Sequence, residues 1–322
     1  MDFRKLIKFG NSSHVISLPR DWLTKNKLDK GDVIYFHQNG GNELVLTPAE
    51  PKSKKEDREI VIDANKKAIE TIKRELTSAY IRGFNVIKIT DNNLKERAVE
   101  IRNELQNLMA LEIMEQTQTS MVARDMLNVN DVNLNTLLRR MDMTTRSMMT
   151  DLKEAIKETS NTYEHFSYRD QDINRTYFVV LRLTNLGMSD LAFANSIKLT
   201  PKDLFKIWGV GYYLESLADE VKRIAELLNN TKINKKTKEY LLRLFNDIEA
   251  SYFSVMKAYY TGDIQLALQY SDARKKLFEK TNELYKELNR NPDNLRVLAI
   301  CERFNNMIES INKISRKVYD FG

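Results

Sequence analysis

The sequence predicts a multidomain protein with a small β-rich unit, a small α/β layer and a long all-α region of two related helical units. Three observations carry this. The first is the scarcity of chain breakers: 322 residues hold only 10 Gly and 5 Pro, which favours helix. The second is the stretch from Pro201 to Leu228, whose apolar residues Ile207, Val210, Leu214, Leu217, Val221, Ile224 and Leu228 fall at alternating intervals of 3 and 4. That spacing belongs to a helix burying one narrow seam. The third is an echo 90 residues on, where Val297, Ile300, Phe304, Met307, Ile311, Ile314 and Val318 are apolar again. A fixed-period echo marks an internal duplication. Asp203 and its counterpart Asp293 are expected as N-caps.

Residues 1–50 are expected to form the β-rich unit. Phe3 to Lys8 and His14 to Leu18 read as strands around Gly10-Asn11-Ser12-Ser13. Pro19 opens a short helix, Arg20 to Lys27. Lys30-Gly31-Asp32 turns the chain, and Val33 to Gln38 pairs with Glu43 to Thr47 around Asn39-Gly40-Gly41. About 45 residues of this kind bury too little surface to be stable alone, so a partner chain is expected. Residues 1–30 carry seven Lys or Arg against three Asp, a net of +4. Doubled in a dimer, this is a footprint for phosphates. Asn11, Ser12 and Ser13 could donate hydrogen bonds to phosphate oxygens. The bland reading of the same residues is a solvated surface and turn residues chosen for backbone geometry. His14 reads as structural.

The wording RKLIKFGNSSHVISLPRDWL, then KGDVIYF and ELVLTP, resembles the AbrB/SpoVT/MazE swapped-hairpin domains. The resemblance covers about 45 residues, with Ser17-Leu18-Pro19 and Lys30-Gly31-Asp32 in order. It implies two chains interleaved into one small barrel that binds DNA, with Arg4, Lys5, Lys8 and Arg20 at the basic positions aimed at the duplex.

Residues 51–58 read as a polar linker. Residues 59–128 alternate strand and helix: Glu59 to Ile62, Lys66 to Arg82, Val86 to Thr90, Leu94 to Leu108, then Glu112 to Thr117 and Ser120 to Met126. Gly83 is the expected C-cap of the first helix. This unit shows no catalytic constellation and reads as an interaction or dimerisation layer. Its arrangement is similar to the middle region of archaeal proteins that fuse an AbrB-like domain to a PhoU domain.

From Asn133 onward the pattern is helical, in two units of about 129–230 and 233–321. Leu134, Leu137, Leu138, Met141, Met148, Met149, Leu152 and Ile156 make one stripe, with Met as core filler. A break is expected near Ser160-Asn161 and a loop from Gly187 to Thr200. Leu241 to Tyr260 and Ile264 to Leu288 supply two helices of the second unit. Cys301, the one cysteine, falls on an apolar face and excludes an intramolecular disulfide.

Glu215 and Asp219 are four apart and share a helix face. With Leu214 and Leu217 on the seam, both carboxylates are expected on the outside of the bundle. The run Tyr213-Leu214-Glu215-Ser216-Leu217-Ala218-Asp219 resembles the ExxxD signature of PhoU proteins. The resemblance implies PhoU-like three-helix bundles and a surface metal site. It also implies negative control of phosphate uptake through contact with a transporter or signalling protein. Tyr168 to Arg182 resembles the second PhoU helix, which adds Asp170 and Asn174 to the ligand set; Asn174 stands where the family more often has a carboxylate. The second copy, Asn305 and Glu309 with Asp272 nearby, keeps fewer charges and is expected to be weak. Oxygen ligands suit Mg, Mn or Ca, with Fe also open. The alternative is a charged face balanced by neighbouring Lys or Arg.

Net charge of +6 permits nucleic-acid contact without demanding it. No apolar run reaches the ~18 residues of a membrane span, and the N-terminus does not read as a signal peptide, so a cytoplasmic location is expected. No nucleophile–base pair is visible, so an enzyme is not expected. The leading expectation is a dimeric DNA-binding regulator of phosphate homeostasis. The alternative is an adaptor that does not bind DNA and acts on a phosphate transporter or signalling partner.

Overall fold

The computed structural model describes residues 3–38, 44–48, 57–158, 163–229, 231, 233–288 and 295–321. The chain divides into two compact units, Met1–Glu56 and Asp57–Gly322. The coarse order read from the sequence holds: small β sheets first, then a mostly helical region.

In the first unit β1 (Ile7–Phe9) pairs antiparallel with β2 (Ser13–Val15), with Ile7 opposite Val15, Lys8 opposite His14 and Phe9 opposite Ser13. Both strands are shorter than expected, because only the segments beside the turn find a partner within one chain. Gly10 turns at φ 69°, a backbone suited to glycine. Helix α1 (Arg20–Lys25) follows Pro19 and stops two residues before its expected end, as Lys27 takes φ 54°. The Lys30-Gly31-Asp32 turn is closed by the Asp32 carboxylate, which accepts from the Asp29 amide at 2.7 Å, with Gly31 at φ 100°. β3 (Tyr35–Gln38) pairs antiparallel with β4 (Leu44–Thr47). The expected turn Asn39-Gly40-Gly41, the start of that strand at Glu43, and linker residues 51–56 lie outside the described residues.

The second unit begins with a four-stranded sheet in the order β5-β6-β8-β7. β5 (Glu59–Asp63) lies parallel to β6 (Val86–Thr90), and β8 (Ser120–Asp125) runs antiparallel to both β6 and β7 (Leu111–Gln116). Helices α2 (Ile69–Ile81) and α3 (Leu94–Gln106) bury Ile72, Leu76, Ala98, Ile101 and Leu105 in one core with sheet residues Ile62, Ile87, Ile89 and Met121. α2 starts later than expected because Lys66 takes φ 58°, which a helix cannot contain. Gly83 ends it as expected: at φ 83°, its amide bonds to Tyr80 O and the Phe84 amide to Ala79 O.

The helical region comprises α4 (Leu134–Glu158), α5 (Tyr163–Ser189), short α6 (Leu191–Ser196), α7 (Pro201–Leu228), α8 (Lys235–Thr261), α9 (Ile264–Leu288) and α10 (Leu295–Tyr319). The expected loop 187–200 therefore holds the end of α5 and a helix of its own, started where the Asp190 carboxylate accepts from the Phe193 amide at 3.1 Å. The break near Ser160-Asn161 lies outside the described residues. All fourteen seam positions of α7 and α10 are buried, and the two helices pack together at the centre. Cys301 is fully buried among them. The N-cap of α7 is Thr200, not Asp203. With Pro201 in the first turn, Thr200 Oγ1 accepts from the Asp203 amide while the Asp203 carboxylate accepts from the Thr200 amide, a capping box. Asp293 lies outside the described residues.

One buried arginine joins sheet layer and helical region. The Arg182 guanidinium, on α5, donates to the carbonyls of Tyr80 and Phe84 and to the Asp125 carboxylate, and lies 4.7 Å from the Tyr80 ring centroid. Asn185 Nδ2 donates to Ile81 O at 3.2 Å. The open C-terminal carbonyls of α2 thus meet a cation and an amide, as the helix dipole favours.

Candidate nucleic-acid interface and carboxylate cluster

Strand alternation divides the β1–β2 hairpin into two faces. Ile7, Phe9 and Val15 share one face; Lys8 and His14 share the other. No residue of 3–36 or 44–48 is buried. Phe3 is 81% exposed and Phe36 69%, and Leu6, Ile7, Phe9, Ile16, Val33 and Leu44 are also exposed. Apolar surface this exposed, with no residue of 3–36 or 44–48 buried, is the kind of face that a partner covers.

The expected DNA-contacting residues all lie on this unit. Arg4, Lys5, Lys8 and Arg20 are exposed, and none makes an ion pair with a described residue. The Arg4 guanidinium donates to the Phe3 carbonyl at 2.9 Å. Asn11 and Ser12 sit in the turn after Gly10, while Ser13 has moved from the expected turn into β2. Cations outside any ion pair with a described residue, beside a turn with hydroxyls and amides, can engage successive phosphates.

The carboxylates of the helical region stand differently from expectation. Glu215 and Asp219 do not face outward; they line the α5–α7 interface, half-buried, next to buried Asp170. The seam of α7 is flanked by α5 on that side, so a residue one step off the seam still meets a neighbouring helix. Lys222 Nζ lies 2.7 Å from Asp170 Oδ2 and 2.8 Å from Asp219 Oδ1. Arg223 Nε lies 2.7 Å from Asp219 Oδ2. Asn174 presents its Nδ2 donor to Asp170 at 3.3 Å, leaving Asp170 Oδ1 buried without a hydrogen-bond partner.

Burial first, then the charges of Asp219 and Asp170, push the Glu215 carboxyl up to about 7. Burial raises Asp170 too, against the pull of Lys222. For Lys222, burial opposes the charge, but its bonds to Asp170 and Asp219 prevail and its pKa rises.

As arranged, these residues do not fit a divalent or trivalent cation. The position between Asp170 and Asp219 is taken by the Lys222 ammonium, and Asn174 turns a donor toward it. Among the described residues no group of three or more His, Cys, Asp or Glu is placed to hold a metal ion. In the second set only Glu309 is paired, with the Arg274 guanidinium; Asp272 is exposed on α9, and Asn305 Oδ1 is buried without a hydrogen-bond partner. Lys222 and Arg223 were visible at i+3 and i+4 from Asp219, a spacing that signals intrahelical pairing. Only the fold shows that Lys222 also reaches Asp170.

A third polar cluster gave no signal in the sequence. Asp142, inside the α4 stripe, is buried and accepts from Tyr252 OH at 2.5 Å and Arg146 Nε at 2.8 Å.

Among the described residues no helix is long and apolar enough to cross a membrane. No curated protein and no solved structure is similar enough to match the chain. Residues 7–64 match the family described as antidote-toxin recognition MazE, bacterial antitoxin, so the N-terminal unit is similar to MazE/AbrB-type domains, with the match running on through β5 of the second unit.

Proposed function

We propose that the chain is a dimeric DNA-binding transcription regulator in which residues 1–50 both interleave with a second copy and contact DNA. The carrying observation is the N-terminal unit itself: no buried residue among 3–36 and 44–48, an exposed apolar face, and Arg4, Lys5, Lys8 and Arg20 free of carboxylates among the described residues. The match of residues 7–64 to a MazE-type family supports the same reading, since domains of this type dimerise and bind DNA. In a dimer the basic set is doubled, and its phosphate contacts set affinity while the turn residues help fix register. The protein works without chemistry of its own, in the cytoplasm.

The helical region serves as the sensing or interaction arm. The resemblance of Glu215 to Asp219 to the PhoU signature supports phosphate uptake as the regulated process, with a transporter or signalling protein as the arm's partner. The paired state of the carboxylates removes metal from this reading: Lys222 supplies the charge balance that an ion would supply. A gel shift on the DNA upstream of the protein's own coding region tests the proposal. A shifted complex that weakens as salt rises is expected. Its absence at low salt, with the chain still dimeric, would leave the adaptor that acts by protein contact alone.

A further inference from the structure

A cavity of about 290 Å³ opens between the N-terminal ends of α4 and α7 and the C-terminal end of α8. It lies apart from the carboxylate cluster. Two cations line it. The Arg139 guanidinium lies 4.7 Å from the Tyr260 ring centroid, and Lys206 Nζ lies 5.5 Å from that of Tyr259. Neither makes an ion pair with a described residue, whereas Lys153 and Arg146, on the same α4, are paired with Glu249 and Asp142. Burial depresses the Lys206 pKa, the mark of an ammonium short of compensation.

Asp203 also lines the cavity, but its carboxylate is engaged by the Thr200 amide at 2.9 Å and the Thr200 hydroxyl at 2.6 Å. It moderates Lys206 through space without bonding to it. The Tyr260 hydroxyl is buried and makes no hydrogen bond of ordinary geometry. Burial, the neighbouring Asp142 charge and the hydroxyl's approach to that carboxylate keep it protonated. The cavity therefore offers two cations against one occupied carboxylate. An adjoining cavity of about 190 Å³ shares Asn135 with it and gives room for more than a bare ion.

We infer that this cavity binds a small molecule carrying an oxyanion, a carboxylate or phosphate, seated against Arg139 and Lys206. A guanidinium set over an aromatic ring can still offer N–H groups to such an oxyanion. The ammonium over Tyr259 adds a point charge from α7. Such a ligand would tie α4 to α7 and so bridge the first helical unit at the end nearest α8.

Calorimetric titration of the full-length protein with inorganic phosphate, glucose 6-phosphate and citrate tests this. At least one is expected to bind saturably. Arg139→Gln and Lys206→Met should each weaken that binding about tenfold or more, since each removes a charge-assisted bond. Arg140→Gln, exposed on α4 and outside the cavity, should leave it unchanged. Preference for glucose 6-phosphate or citrate over phosphate identifies an organic ligand; the reverse identifies the free ion. If Arg139→Gln lowers the melting temperature, Lys206→Met decides. No saturable binding of any of the three up to about 10 mM, or binding equal in parent and both variants, overturns the inference. DNA binding is read separately, so either result leaves the proposed function standing.

Discussion

Replacing Lys222 by Met asks whether an internal ammonium holds the α5–α7 interface together. Met keeps the length of the stem and removes the charge. Two ion pairs go with it, to Asp170 at 2.7 Å and to Asp219 at 2.8 Å. The losses are unequal. Asp219 keeps Arg223 at 2.7 Å. Asp170 keeps only the 3.3 Å bond from Asn174, and its other oxygen already has no partner. Stranding a buried charge costs about 3–5 kcal/mol. The Lys222 side chain is 19% exposed, so water relieves part of this, and a loss of about 2–4 kcal/mol is expected at pH 7. The assay is urea unfolding followed by far-UV circular dichroism, which reports mainly on α4 to α10. Adding Asp170→Asn to the Lys222→Met variant should recover most of the loss, because it removes the stranded charge. The loss should also shrink as the pH is lowered, because burial already raises the Asp170 pKa and protonation removes the stranded charge. A cost below about 0.5 kcal/mol at pH 7, typical of an exposed pair, would refute the reasoning.

Three further outcomes follow from the same geometry. Glu215 has a folded pKa raised to about 7 from an ordinary 4.5, so the folded state holds its proton more tightly and the resulting stabilisation, full below 4.5, is lost as pH rises through 7. Glu215→Gln should therefore unfold at higher urea than the parent at pH 8, by about 1–2 kcal/mol after allowing for partial exposure, and match it near pH 5; equal stability at both pH values would contradict the shift. Arg182→Met strands buried Asp125 and uncaps α2, and should cost about 3–5 kcal/mol while speeding amide exchange at Tyr80 to Phe84; unchanged exchange there would show that the arginine does not join the two layers. Light scattering should find a dimer at micromolar concentration, weakened by deletion of residues 1–50, and a monomeric parent would refute the reading of the exposed apolar face.

Much of this fold was legible because period and burial coincide. The α7 seam and its echo 90 residues on predicted fourteen buried positions on two helices, and all are buried. Ile264 to Leu288 matches α9 at both ends, since Gly262 at φ 67° stops α8 just before it. Other boundaries moved where one residue's backbone decided the matter, as at Lys66, or where a side chain changed the cap, as Thr200 did. The orientation of Glu215 and Asp219 was misread for a different reason. Helical spacing shows which residues share a face, but not how many neighbours that face meets. On α7 the side next to the seam is covered by α5. Arg182 with Asp125, and Asp142 with Tyr252, join residues far apart in sequence, and no local pattern announces such pairs. The N-terminal unit was legible by its wording rather than by a core, since none of residues 3–36 and 44–48 is buried.

The central claim is that the basic N-terminal unit of a dimer binds DNA, and the salt dependence of affinity tests it most directly. Fluorescence anisotropy with a labelled duplex from the upstream region, titrated at several salt concentrations, gives the slope of log K against log salt. If about six phosphates are neutralised, a slope of roughly −5 is expected. Arg4→Ala with Lys8→Ala removes up to four cations per dimer, and should flatten the slope and weaken binding to all sequences alike, since phosphate contacts carry no base readout. A variant whose slope and affinity equal the parent's would show that this face is not the DNA surface, and the account of the protein as a DNA-binding regulator would fall.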